Sequence, residues 1–119
     1  MQLALIAVAG ATGALLRYGV GRAVQPETFP AATLTVNVTG SFAIGFLATF
    51  LAERTGMPAE LRTALLVGLL GSYTTFSTFS LETLRLAQDG EWTYAALNIV
   101  LSVTGALAAV WVGQTLARQ

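Results

Sequence analysis

At 119 residues the chain has room for one domain, and 55% of it is hydrophobic against only 10% charged, with a mean hydropathy of +0.69. A soluble domain carries roughly 25% charged residues, so this chain cannot cover its apolar surface in water and reads as an all-α membrane protein surrounded by lipid bilayer. Zero net charge with no basic or acidic run argues against a nucleic-acid partner, and the lack of Cys and His removes disulfides, thiol chemistry, zinc-type sites and histidine catalysis.

A spanning helix needs about 20 mostly apolar residues. Four segments satisfy this, so residues 1–119 read as a single four-helix transmembrane domain. The first runs from Leu3 to about Arg22 and carries Arg17 near its far end. Ala7-Val8-Ala9 looks like a cleavage site, but no Lys or Arg precedes it and the apolar run before it is short, so the segment reads as a retained helix. The second span, Ala31–Leu51, is uncharged. The third runs from Arg62 to about Leu86 and is expected to break near Gly71–Thr75. The fourth, Trp92–Ala117, is uncharged and starts at the interfacial anchors Trp92 and Tyr94. Pro26, Pro30 and Pro58 all fall between spans, and Pro30 and Pro58 stand where a helix start tolerates a missing N–H.

Small residues recur on the spans: Gly10 and Gly13, Ser41 and Gly45, Gly68 and Gly71. On the fourth, Gly105, Ala109 and Gly113 repeat every four residues, which predicts a close helix–helix contact. The six basic residues are all Arg. Arg54, Arg62 and Arg118 fall on one side of the membrane, and Arg17, Arg22 and Arg85 on the other. Orientation follows an Arg/Lys excess on one side. A balanced count predicts insertion in both directions and allows an antiparallel, dual-topology dimer; the alternative is that one arginine, Arg17 or Arg62 at a helix end, outweighs the others by position and sets a single orientation.

The third span holds the run Gly71-Ser-Tyr-Thr-Thr-Phe-Ser-Thr-Phe79. In hydrocarbon every backbone N–H and C=O needs an internal partner, and breaks are tolerated where they line a binding site or water-filled path. A glycine followed by clustered hydroxyls is suited to such a break. Phe76 and Phe79 lie three apart on neighbouring faces. Thr75, Thr78, Phe79 and Glu82 form a stripe at i, i+3, i+4 and i+7. A Phe ring has a positive edge, and ring edges beside hydroxyl and amide donors can coordinate a small anion without a full positive charge. Asn37, about two turns into the second span, supplies an amide, and on its own reads equally as an interhelical hydrogen bond. Tyr94, Asn98 and Ser102 form a polar stripe on the fourth span that fits a pore wall. Glu82 reads as an interfacial carboxylate paired with Arg85, or as a hydrogen-bond acceptor at a pore mouth. No catalytic triad, metal cluster, phosphate loop or carboxylate pair lies within the spans, so an enzyme is not expected.

These residues carry a resemblance. The runs Gly10-Ala-Thr-Gly-Ala-Leu-Leu-Arg17-Tyr18, Thr33-Leu-Thr-Val-Asn37-Val-Thr-Gly40-Ser41-Phe42 and Gly68-Leu-Leu-Gly71-Ser-Tyr-Thr74-Thr75-Phe76-Ser77-Thr78-Phe79-Ser80, with Glu82, resemble the Fluc (CrcB-type) fluoride channels along essentially the whole chain. The resemblance implies a passive fluoride channel in a bacterial or archaeal plasma (inner) membrane, built as an antiparallel dual-topology homodimer with two pores. It implies that Phe76 and Phe79 line fluoride sites, that Asn37 donates into the pore, and that Tyr94, Asn98 and Ser102 form a polar track. It also implies a buried structural sodium ion held by backbone carbonyls of Gly71 and Thr74, with Arg17 and Glu82 in structural or vestibule roles. The competing readings are a small dual-topology multidrug or cation transporter, which requires a membrane-embedded carboxylate that the first span lacks, and an accessory subunit, which leaves the polar stripes unexplained.

Overall fold

In the computed structural model, residues 1–24 and 28–119 are described. Pro26 lies outside them. Among the described residues, four helices are long and apolar enough to cross a membrane: Gln2–Ala23, Ala31–Arg54, the interrupted Ala59–Gln88, and Trp92–Arg118. Each observed span contains the expected one and extends it by a few residues. Pro30 and Pro58 occupy the N-cap positions of the second and third helices. The described residues contain no strand.

The turn into the fourth helix is set by one glycine. Gly90 adopts φ +81°, a conformation that costs a side-chain-bearing residue energy. Glu91 N donates to Leu86 O at 2.8 Å and Gly90 N to Ala87 O at 3.1 Å. This crossed pair is a Schellman closure, and it lets the next helix begin at Trp92.

Close packing falls into two parallel pairs. The first helix lies against the upstream half of the third. A Cβ on Gly13 would overlap Leu69 O and Ser72 Oγ, and one on Gly68 would meet Ala9 Cβ at 2.9 Å. The second helix lies along the fourth from Phe29–Tyr94, whose rings meet edge-on with centroids 6.0 Å apart, to the Glu53–Arg118 ion pair at 3.6 Å. Between these ends a Cβ on Gly45 would overlap Val110 O, and one on Gly113 would overlap Phe42 O. The glycine series of the fourth helix thus faces the second, with Gly105 against Val38.

Little of the apolar surface is covered by the chain itself. Gly13 is the one buried residue of the first helix. Leu3, Leu15, Leu107 and Trp111 are largely exposed. In water this would be an aggregation surface; against lipid tails it is the expected exterior.

Candidate functional site

The third helix is built in pieces. Ala59–Thr63 is α-helical, Ala64–Leu70 is wound as a π-helix, and Gly71–Tyr73 closes the upstream half. Gly71 is helical, at φ −63°, ψ −33°. The break falls on Thr74 and Thr75, with φ/ψ of −88°/163° and −154°/122°. The downstream half, Phe76–Gln88, then starts with Thr75 as its N-cap. Thr75 therefore caps this helix rather than joining Thr78, Phe79 and Glu82 on its face.

Each residue around the break is tied down. Thr75 Oγ1 accepts from Thr78 N at 3.2 Å and donates to Thr78 Oγ1 at 3.1 Å. Asn37 Nδ2 donates to Thr75 O, and Thr75 N donates to Asn37 Oδ1, both at 2.8 Å. Arg17 Nε donates to Ser72 O at 3.0 Å. Ser72 Oγ lies 2.7 Å from both Gly10 O and Gly68 O. Tyr73 Oη and Thr39 Oγ1 are 2.9 Å apart.

These side-chain bonds leave a mark on the backbone. In an α-helical ladder the carbonyls of Gly71 and Thr74 would accept from the N–H groups four residues on, those of Thr75 and Thr78. Both N–H groups are diverted to side chains, the first to Asn37 Oδ1 and the second to Thr75 Oγ1. The Gly71 and Thr74 carbonyls are thus free of those ladder partners. Carbonyl oxygens of this kind suit a hard cation, so the chemistry at the break fits a sodium ion.

A groove of about 380 Å³ runs beside the break, with Asn37, Thr75, Phe76, Phe79 and Ser102 among its walls. Gly71 and Thr74 reach it too. The rings of Phe76 and Phe79 have centroids 5.4 Å apart and planes tilted by 52°. Phe76 is 77% exposed, while Phe79 is 8% exposed. Among the described residues, no ionisable side chain lines the groove. A second hollow, about 490 Å³, lies beyond Thr75 and is lined by Arg17, Tyr18, Thr33 and Thr78. Thr75 borders both spaces. Hydroxyl and amide groups and two phenyl rings therefore stand on the groove side of Thr75, and an arginine on the other.

The polar stripe of the fourth helix separates into parts. Ser102 reaches the groove. Asn98 is 0% exposed and sits behind it, donating from Nδ2 to Thr83 Oγ1 at 2.9 Å and accepting from Ser102 Oγ at 3.3 Å. Tyr94 lies towards the helix start against Phe29, away from the groove walls. Glu82 accepts from Thr33 Oγ1 at 2.5 Å. The expected pairing with Arg85 is not made; the ion pair found among the described residues joins Glu53 and Arg118.

Thr33 and Thr83 are partners that sequence reasoning missed. A buried Asn in a span must find acceptors and donors, so a search for hydroxyls one helix away at the depth of Asn98 points to Thr83.

Together these features define a multi-pass membrane protein with a largely apolar groove, carrying a few hydroxyl and amide groups and two phenyl rings, beside a broken helix. The model of the CrcB-like protein, Camphor Resistance (CrcB) family matches residues 4–114. The chain belongs to that family. It is 52% identical, over its whole length, to the fluoride-specific ion channel FluC of Methylococcus capsulatus, and covers 54% of that relative. It therefore spans about half the length of that protein. It is 49% identical to the FluC of Paramagnetospirillum magneticum, covering 95% of it, and 47% identical to the FluC of Geobacter metallireducens, covering 98%. The alignments take in 98% and 99% of this chain.

Proposed function

We propose that the chain is a fluoride-selective passive channel that exports fluoride from the cytoplasm across a bacterial or archaeal plasma membrane. The observation that carries this is the break at Thr74–Thr75, clamped by Asn37 and bordered by Phe76, Phe79 and Ser102. Relatives named fluoride-specific ion channels support the same reading. Fluoride is small and strongly hydrated. A path must replace its water with amide, hydroxyl and ring-edge donors, and still release it. A groove with no cation among its described walls, and with a few hydroxyl and amide groups already engaged by neighbours, offers weak donors and no deep trap. Arg17, in the adjoining hollow, attracts anions to the entrance. Fluoride that enters a cell as neutral HF dissociates inside, and a passive path lets the trapped anion leave.

The working unit in this proposal is an antiparallel homodimer with two pores. Balanced arginines support both insertions, and the exposed apolar faces leave room for a second copy. A sodium ion at the break, held by the Gly71 and Thr74 carbonyls of two copies, would supply a fixed positive charge between the pores. Phe76, Phe79, Asn37, Thr75, Thr78 and Ser102 form the path, with Asn98 behind it and Tyr94 at its outer end. Glu82, held by Thr33, is a structural acceptor at the mouth.

The test is ion efflux from proteoliposomes, read with a fluoride electrode and a parallel chloride trace. Fluoride release without chloride release, needing only a charge shunt, is expected. Silence from well-folded protein would remove the channel reading. Reporter fusions to the C-terminus should report both orientations; a single orientation would remove dual insertion.

A further inference from the structure

We propose that Thr83 is a positioning residue of the anion path: it fixes which way the Asn98 amide faces, and so keeps the Ser102 proton loosely held and movable. The inference rests on the fluoride-channel reading above.

An amide side chain is nearly symmetric in shape, and which end faces which neighbour is decided by the hydrogen-bond network. Asn98 is fully buried, and its side chain has two hydrogen-bond partners among the described residues, Thr83 Oγ1 at 2.9 Å and Ser102 Oγ at 3.3 Å. Thr83 breaks the symmetry. Its hydroxyl has one proton, and that proton goes to Phe79 O at 2.7 Å. Towards Asn98, Thr83 can therefore offer only lone pairs. Asn98 must turn its N–H to Thr83 and its carbonyl to Ser102. Ser102 must then donate.

That last bond is the weak one. Hydroxyl donors usually lie about 2.5–3.0 Å from their acceptor, and Ser102 Oγ is 3.3 Å from Asn98 Oδ1. Ser102 is also one of the residues that line the groove. Rotation about its Cβ–Oγ bond moves the proton from the Asn98 carbonyl to an anion without moving a heavy atom. The new bond is charge-assisted and stronger, but it strips a buried carbonyl of its partner, which offsets part of the gain. The anion is held and also released. With the amide reversed, Asn98 would donate to Ser102 and leave the serine proton permanently free. The anion would bind more tightly and leave more slowly. Thr83 prevents that arrangement from across a helix interface, without reaching the groove itself.

The experiment compares wild type with Thr83→Val, Thr83→Ser and Ser102→Ala in proteoliposomes, measuring fluoride flux against fluoride concentration. Thr83→Val should lower the half-saturating concentration and the maximum flux together, each several-fold. Thr83→Ser should restore both. On the Ser102→Ala background, Thr83→Val should have no further effect. A fall in maximum flux at unchanged half-saturation would show a merely structural role and overturn the proposal, as would wild-type behaviour of Thr83→Val. Should Thr83→Val not fold, solid-state NMR of wild-type protein reads the amide directly: Asn98 Nδ2 nearer Thr83 Cβ than Ser102 Cβ supports the proposal, and the reverse overturns it. Wild-type protein silent to fluoride would instead bring down the channel reading, and this inference with it.

Discussion

The Asn37 side chain meets Thr75 as one residue of a β-ladder meets another, giving to its carbonyl and taking from its N–H, both at 2.8 Å. A helix break is thereby closed by a residue 38 positions earlier in the chain. Asn37→Ala orphans both groups, at a cost of about 1–3 kcal/mol each. A lower melting temperature and lost flux are expected. Asn37→Asp keeps an acceptor for Thr75 N but has no amide donor and adds negative charge. It should abolish flux at a smaller loss of stability. Normal flux in the Asp variant would take Asn37 out of the anion path.

Phe76 and Phe79 should separate flux from stability. Phe76 is exposed and Phe79 buried. Phe76→Ile should leave the stability within about 0.5 kcal/mol of wild type, as surface changes do. Phe79→Ile changes shape in a packed site and should cost about 1–3 kcal/mol. Both should slow fluoride efflux. Unaltered efflux in both would remove the ring-edge argument.

Glycines at the helix contacts should rank by what surrounds them. Gly13 and Gly113 face backbone atoms that a Cβ would overlap, whereas Gly105 faces a valine methyl at 3.3 Å. Ala at 13 or 113 should cost about 1–3 kcal/mol or more, as overpacking does. Ala at 105 should cost less. Thermal melts in one detergent check the order, and equal effects at all three positions would contradict it.

Sodium at the break should stabilise the protein by mass action. Each tenfold rise in sodium above its dissociation constant should add about 1.4 kcal/mol. The melting temperature should rise with sodium and stay lower in an organic cation of equal ionic strength. A flat response would leave the Gly71 and Thr74 carbonyls without that ion.

The four spans were legible because hydrocarbon imposes length and polarity on every crossing segment. Pro30 and Pro58 marked helix starts for a reason local to their own rings. The break is legible as a region, and so is the role of its hydroxyls, since Thr75 caps the downstream helix; the role of Asn37 is not. Gly71 stays helical, and Thr74 and Thr75 depart from the helix because Asn37 and the Thr75 hydroxyl replace the lost ladder bonds. Part of that replacement comes from another helix, so no local pattern contains it. Periodicity puts Thr75 in a helical stripe, but the helix begins only after it, with Thr75 as its cap. Tyr94, Asn98 and Ser102 share one unbroken helix, but eight residues rise about 12 Å, so spacing alone does not tell that Ser102 reaches the groove and Tyr94 does not. The π winding of Ala64–Leu70 has no recognised signal in its composition.

Gly13 against Leu69 and Gly113 against Phe42 bring main chain to main chain. Contacts of this kind gain from dispersion rather than from release of water, because lipid tails surround the helices before and after they meet. Hydrophobic burial in a soluble core weakens on cooling; these contacts have no such reason to loosen. At low temperature the helix pairs should therefore stay closed, and the limit on the protein's working range passes to the phase behaviour of the lipid around it.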